Sequence, residues 1–162
     1  MITGTEFCRL RESAGLTQAD VADLIGCDLR SVKRWEAGKS RISDRVVERL
    51  EHVVDMLDVY AKRAVTVYFE HLRGIDTDEM PEVALVVYDD ADADMVEWPS
   101  LPFHTHAAAV AKAFDELQRL GAPVRLVKMD RADYYAYLSG RPDSQAERSA
   151  WAALQITKDK AP

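Results

Sequence analysis

Among the side chains that could do chemistry, the acids and histidines of the second half come first. His104 and His106 stand two apart, downstream of Asp89, Asp90, Asp92 and Asp94. The alternation Asp90-x-Asp92-x-Asp94 matches the opening of a calcium loop. Met95, however, stands where that loop needs glycine, and Leu101 where it needs a bidentate glutamate. A solvated turn is expected here, with no metal and no cofactor. Tyr134, Tyr135 and Tyr137 could line a ligand, but at helical spacing they read as core and interface. Cys8 and Cys27 lack metal-ligand spacing and read as small buried hydrophobes. No Ser/His/Asp or Cys/His arrangement and no phosphate-cradling glycine loop occurs, so no enzyme is expected. A last group is cationic. Residues 30–49 hold Arg30, Lys33, Arg34, Lys39, Arg41, Arg45 and Arg49 against Glu36, Asp44 and Glu48. Seven cations against three acids make a surface suited to phosphates.

That cluster sits in an acidic chain. The 162 residues carry a net charge of −7. Residues 1–73 hold 12 basic and 12 acidic side chains, whereas residues 74–162 hold 9 and 16, the whole of the excess. Wholesale nucleic-acid binding is therefore excluded, and one short segment is left to meet phosphate. The length admits one medium domain or two small ones. The longest apolar run, Val83 to Tyr88, is too short to cross a bilayer, so no membrane partner is expected. Glu6, Arg9, Arg11 and Glu12 crowd the first dozen residues and leave no signal-peptide hydrophobic region. A reducing, cytoplasmic location is the expectation.

The elements that must position the cations are marked by caps and glycines. Gly15, Gly26, Gly38, Gly74, Gly121 and Gly140 each follow an apolar-periodic stretch, where a helix ends in the left-handed conformation; Gly4 alone does something else. Thr3-x-x-Glu6, Thr17-x-x-Asp20 and Ser144-x-x-Glu147 pair a capping hydroxyl with an acid three residues on. Helices are predicted over 4–14 (burying Phe7 and Leu10), 18–25 (Val21, Ala22, Ile25) and 29–37, the last started by Asp28. A fourth begins after Ser43 and runs to about Leu72. Its stripe Val46, Leu50, Val53, Leu57, Tyr60, Ala64 and Val67 alternates steps of four and three, and Val47, Val54, Ala61 and Tyr68 widen it. A stripe of that length exceeds the needs of a small helical headpiece and points to packing on the second half or on another chain.

Residues 75–82 read as a linker, Val83–Tyr88 as a buried strand and 89–103 as an acidic loop. Then follow a helix over 105–120, a strand over 123–129, a short helix capped by Asp130 through Leu138, and a last helix over 144–155 with Trp151 and Leu154 on one side. The predicted fold is α+β and mostly α, with a four-to-five-helix N-terminal domain over 1–73, its long connecting helix, and a small C-terminal α+β domain over 83–157. A two-stranded sheet is marginal alone, so it is expected to lean on the fourth helix or to pair across a dimer. Leu57, Tyr60, Val67, Val83, Val86, Val124, Leu126, Tyr134 and Tyr137 are the candidate dimerisation residues.

The informative stretch is Leu16 to Lys39. Two short helices are joined by a three-residue turn beginning at Gly26, and Ala22 is small where they must approach. Val32 and Trp35 face back to the core, which leaves Leu29, Arg30, Lys33 and Arg34 outward. A helix presented in this way fits the major groove. The stretch resembles the helix-turn-helix of the Xre family, which includes the phage repressors of the lambda and 434 type. The matching residues are Leu16-Thr17-Gln18, Val21-Ala22, Leu24-Ile25-Gly26, Val32, Arg34-Trp35-Glu36 and Gly38-Lys39, within roughly residues 5–55. The resemblance implies base contacts from Leu29, Arg30, Ser31 and Lys33, and phosphate contacts from Gln18, Arg34, Lys39 and Arg41. It also implies a structural ion pair between Arg11 and Glu36. A second resemblance, over Trp35–Lys39 and Ile42–Leu50, is to the YdiL-like proteins and the related anti-CRISPR-associated repressors. That one implies a C-terminal dimerisation domain.

These readings converge on a sequence-specific DNA-binding regulator, a homodimeric repressor of its own or a neighbouring operon. Its partners would be double-stranded DNA and a second copy, with RNA or another protein left open. The alternatives are an antitoxin-type protein whose second half binds a partner protein, and a regulator whose second half senses a ligand.

Overall fold

A computed structural model describes residues 2–73, 80–96 and 101–159. The helix end expected at Gly74, positions 75–79 of the linker and positions 97–100 of the acidic loop lie outside the described residues. The chain is mostly helical, with a small parallel sheet in its C-terminal part. In order the elements are α1 (Gly4–Ser13), α2 (Gln18–Ile25), α3 (Leu29–Glu36), α4 (Asp44–Leu72), β1 (Val83–Val87), a 3-10 helix (Asp90–Met95), α5 (His104–Arg119), β2 (Val124–Lys128), α6 (Arg131–Leu138) and α7 (Gln145–Asp159). No helix among the described residues is long and apolar enough to cross a membrane. Two compact units are present: Met1–Tyr60 with Trp98–Ala109, and Ala61–Glu97 with Val110–Pro162.

In the first unit, helix starts follow from local chemistry. Thr3 and Thr17 each accept from the N–H three residues on, and Glu6 and Asp20 reach back to the Thr3 and Thr17 amides. These reciprocal bonds satisfy N–H groups that α1 and α2 would otherwise leave open. Asp28 takes the N-cap backbone position of α3, but its carboxylate makes no capping bond, unlike the expectation. Gly26 ends α2 at φ 74°, a left-handed conformation that a side chain would strain, and so turns the chain into α3. Phe7, Val21, Val32, Leu50, Val53 and Leu57 lie in the core, together with Ala109 of α5. Trp35 packs against this core edge-on to Phe7, with ring centroids 5.9 Å apart. Cys8 and Cys27 are half-buried free thiols rather than buried hydrophobes.

The stripe on α4 drifts. Val46, Leu50, Val53 and Leu57 are buried as expected; further along the buried positions are Ala61 and Tyr68, from the line that widens the stripe, while Val67 is 56% exposed. The expected stripe has a seven-residue repeat. A helix with 3.6 residues per turn rotates such a repeat by roughly 20° per heptad, so the buried line moves one residue on.

The second unit sandwiches its sheet. β1 and β2 pair in parallel, Val83 against Val124 through Val87 against Lys128. α5 supplies the crossover that a parallel pair requires. On one face Val83, Leu85 and Val124 pack with Tyr68, Leu117 and Ala122. On the other, Val86, Val127 and Met129 pack with Tyr134, Leu138, Trp151 and Ile156 from α6 and α7. Leu154, expected beside Trp151, is 46% exposed.

The acidic loop is more ordered than its composition suggests. Asp90–Met95 is a 3-10 helix capped by Asp89 and Asp92, and Asp92 and Met95 are buried. Arg131 clasps Asp94 through two bonds of 2.8 Å and reaches the Ala91 carbonyl at 2.8 Å. These acids are organised around an arginine. Beneath them lies buried Arg148, which donates to Asp143 and to the Met95 carbonyl, while the Tyr134 hydroxyl donates to Asp143 at 2.6 Å. Burial, together with Asp143 as its acceptor, pushes the Tyr134 phenol up to about 12.

Candidate nucleic-acid interface

The site is built on the short helix α3, which has one fully buried residue. That residue is Val32, and its burial orients the helix. With 3.6 residues per turn, Arg30, Lys33 and Arg34 then fall on the far side, and all three are exposed. Leu29 is 38% exposed at the start of the helix. Ser31 lies on the flank and is half-buried. The outward face is therefore Arg30, Lys33 and Arg34, with Leu29 and Ser31 at its margins.

Three side chains from three helices fix α3 from behind. Glu36 Oε1 accepts from Arg11 Nε at 2.6 Å, and Glu36 Oε2 accepts from Gln18 Nε2 at 2.7 Å. A second Arg11 nitrogen donates to the Leu16 carbonyl at 2.7 Å. The end of α3 is thereby tied to α1 and to the first residue of α2. Arg11 and Glu36 keep only 12% and 10% side-chain exposure. Burial by itself would raise the Glu36 carboxyl, but the hydrogen bonds from Arg11 and Gln18 outweigh it and hold the group below its ordinary value. Gln18, singled out in the sequence for a phosphate, thus has its amide nitrogen turned to Glu36. Its part in bracing α3 is explicit in the geometry.

The exposed cations around α3 form one group without partners among the described residues. Arg30, Lys33, Arg34, Lys39 and Arg41 are exposed, and their side chains make no ion pair or hydrogen bond among the described residues. In the second unit Arg119, Arg125, Lys128, Arg131, Arg141 and Arg148 have carboxylate partners, whereas Lys62, Arg63 and Arg73 make no ion pair among the described residues. In an acidic chain, a contiguous group of unpaired cations is an electropositive surface free to take up anions. Of a neighbouring feature the sequence had marked Arg45 and Arg49, as part of the cationic segment, but not His52. Arg45, Arg49 and His52, one helical turn apart along α4, line a groove of about 680 Å³ with Leu24, Ile25, Val46 and Glu48. The signal in the sequence was their i, i+4, i+7 spacing. A contact that sequence reasoning missed is His104 Nδ1 at 3.3 Å from Asp20, between α5 and α2 within the first unit. Nothing local connects two residues so far apart in the chain.

The candidate dimerisation residues separate by burial. Leu57, Val86 and Tyr134 are buried in the chain's own cores, and Tyr60, Val83, Val124 and Tyr137 pack against them. Those seven take part in internal packing. Val67 and Leu126 remain accessible, at 56% and 46%.

Residues 4–59 match the family model of a helix-turn-helix domain. The match spans α1 to α3 and the first half of α4, so it covers the exposed face of α3 and the brace behind it. This is a domain class that reads duplex DNA. No curated protein matches the chain.

Proposed function

We propose that this protein is a sequence-specific DNA-binding transcriptional regulator of the Xre type, a homodimeric repressor of its own or a neighbouring operon acting in the cytoplasm. The observation that carries the reading is the face of α3. Val32 and Glu36 anchor the helix, while Arg30, Lys33 and Arg34 stand outward with no partner. In the major groove Arg30 or Lys33 pairs with guanine O6 and N7, and Leu29 meets a thymine methyl, with Ser31 beside it. Arg34, Lys39 and Arg41 hold phosphates and set the register, with Gln18 at the start of α2 adding to them. Residues 1–73 serve as the DNA-binding domain and residues 83–157 as the dimerisation domain. Two headpieces then read an inverted repeat with half-sites about one helical turn apart.

The test is a gel shift on the DNA upstream of the gene itself. Arg30→Ala and Lys33→Ala should each weaken specific binding by about 1–3 kcal/mol and relax base preference at one position per half-site, with unchanged melting temperature. If both variants fold and bind with wild-type affinity and sequence preference, α3 is not the reading element.

A further inference from the structure

Both outer edges of the two-stranded sheet lack a partner strand among the described residues. β2 is the more accessible of the two, with Leu126 and Lys128 exposed where no residue of β1 is. The Val83 N–H donates to the Pro123 carbonyl at 2.8 Å, and the Met129 N–H to the Val87 carbonyl at 2.8 Å. Together with the register Val83↔Val124, these bonds fix which peptide groups of β2 face β1. Arg125 and Val127 turn theirs inward, so Val124, Leu126 and Lys128 turn theirs away. No third strand among the described residues pairs with them. A row of free N–H and C=O groups is a template for another strand, and natural edges are usually blunted by proline, charge or a bulge. β2 has no proline within it. It carries two charges, Arg125 and Lys128, and both are already paired, with Glu82 at 3.2 Å and with Asp89 at 2.8 Å. At its centre Leu126 is 46% exposed.

We propose that β2 is the strand through which two copies of this chain pair, antiparallel about a two-fold axis at Leu126. The proposal rests on the homodimeric reading above and names its surface. The edge is self-complementary. An axis at Leu126 sets that residue opposite its own copy and sets Val124 opposite Lys128, so the lysines are never opposite one another. Each facing pair exchanges two main-chain hydrogen bonds, and three such pairs fit the outward row. The product is a continuous four-stranded sheet in the order β1-β2-β2-β1, which relieves the marginal stability of a two-stranded sheet. A copy of the chain always presents this row in matching register, and a two-fold axis is what an inverted-repeat operator demands.

The test is light scattering on the full-length protein at tens of micromolar, with far-UV circular dichroism. The wild type should run at twice the 18.2 kDa chain mass. Leu126→Pro removes an outward N–H and no bond to β1, so it should keep the wild-type spectrum and run at the chain mass. Leu126→Asp leaves the backbone intact and sets two carboxylates across the axis, so it too should run at the chain mass. If Leu126→Pro does not fold, Leu126→Asp decides alone. In gel shifts both folded variants should lose at least about tenfold in affinity for the inverted repeat while keeping wild-type affinity for a half-site. A dimeric wild type whose folded variants stay dimeric overturns the β2 edge and leaves the homodimer standing. A monomeric wild type overturns both.

Discussion

Glu36 takes hydrogen bonds from Arg11 on α1 and from Gln18 on α2, so one carboxylate ties the end of α3 to two other helices. Removing it strands the Arg11 guanidinium, which is only 12% exposed. Glu36→Ala should therefore lower stability by about 3 kcal/mol, within the range for breaking a buried pair, as read from urea unfolding. The pH dependence has a definite sign. The folded carboxyl titrates below its ordinary value of 4.5, so the unfolded chain takes up this proton first as pH falls. The stabilisation is complete above that ordinary value and is lost as pH drops through the folded one. Glu36→Gln should start less stable at pH 7 and lose less between pH 5 and 3. Parallel acid unfolding curves for the two proteins would contradict the assignment. Arg30, Lys33 and Arg34 are the opposite case, since the fold asks nothing of their charges.

Helix α1 meets α3 through Gly4, the one glycine that follows no helix. A Cβ there would collide with the Trp35 carbonyl oxygen and stand 2.5 Å from that of Glu36. The start of α1 thus lies against the backbone that ends α3, at the level of the Glu36 brace. The obstacle is main chain, which cannot rotate aside. Gly4→Ala should cost about 2 kcal/mol or more in thermal unfolding despite the higher helix propensity of alanine. A neutral or stabilising outcome would mean that α1 shifts freely on α3. The element scale also accounts for the drift on α4. A heptad stripe keeps its place only on a supercoiled pair, and a helix in a globular core turns away from it.

At the scale of the whole molecule, the acidic excess of residues 74–162 opposes any second contact with nucleic acid. Binding should depend on salt through a small set of cations, with log affinity falling linearly with log salt concentration. Replacing Arg34, Lys39 or Arg41 by alanine should reduce that slope by about 1 each and weaken all sequences alike. Filter binding between 50 and 200 mM salt reads this directly. A slope unchanged in all three variants would place the phosphate contacts elsewhere, with the Arg45, Arg49 and His52 groove the next place to look.

Helix ends, the turn at Gly26 and the buried Val32 are dictated locally. A threonine three residues before an acid caps a helix, and a glycine accepts the left-handed conformation, whatever lies further along the chain. The sequence by itself therefore determined the headpiece elements, the outward face of α3 and the existence of two short strands. Only the tertiary structure decided which apolar residues meet one another. Leu57, Val86 and Tyr134 and the accessible Val67 and Leu126 have the same hydrophobic character, and no local rule separates them. Register and partner are set by contacts across tens of residues: Val83 against Val124, Arg131 on Asp94, Gln18 on Glu36. Those contacts depend on the closure of long loops and on the packing of whole faces, neither of which appears in the spacing of neighbours.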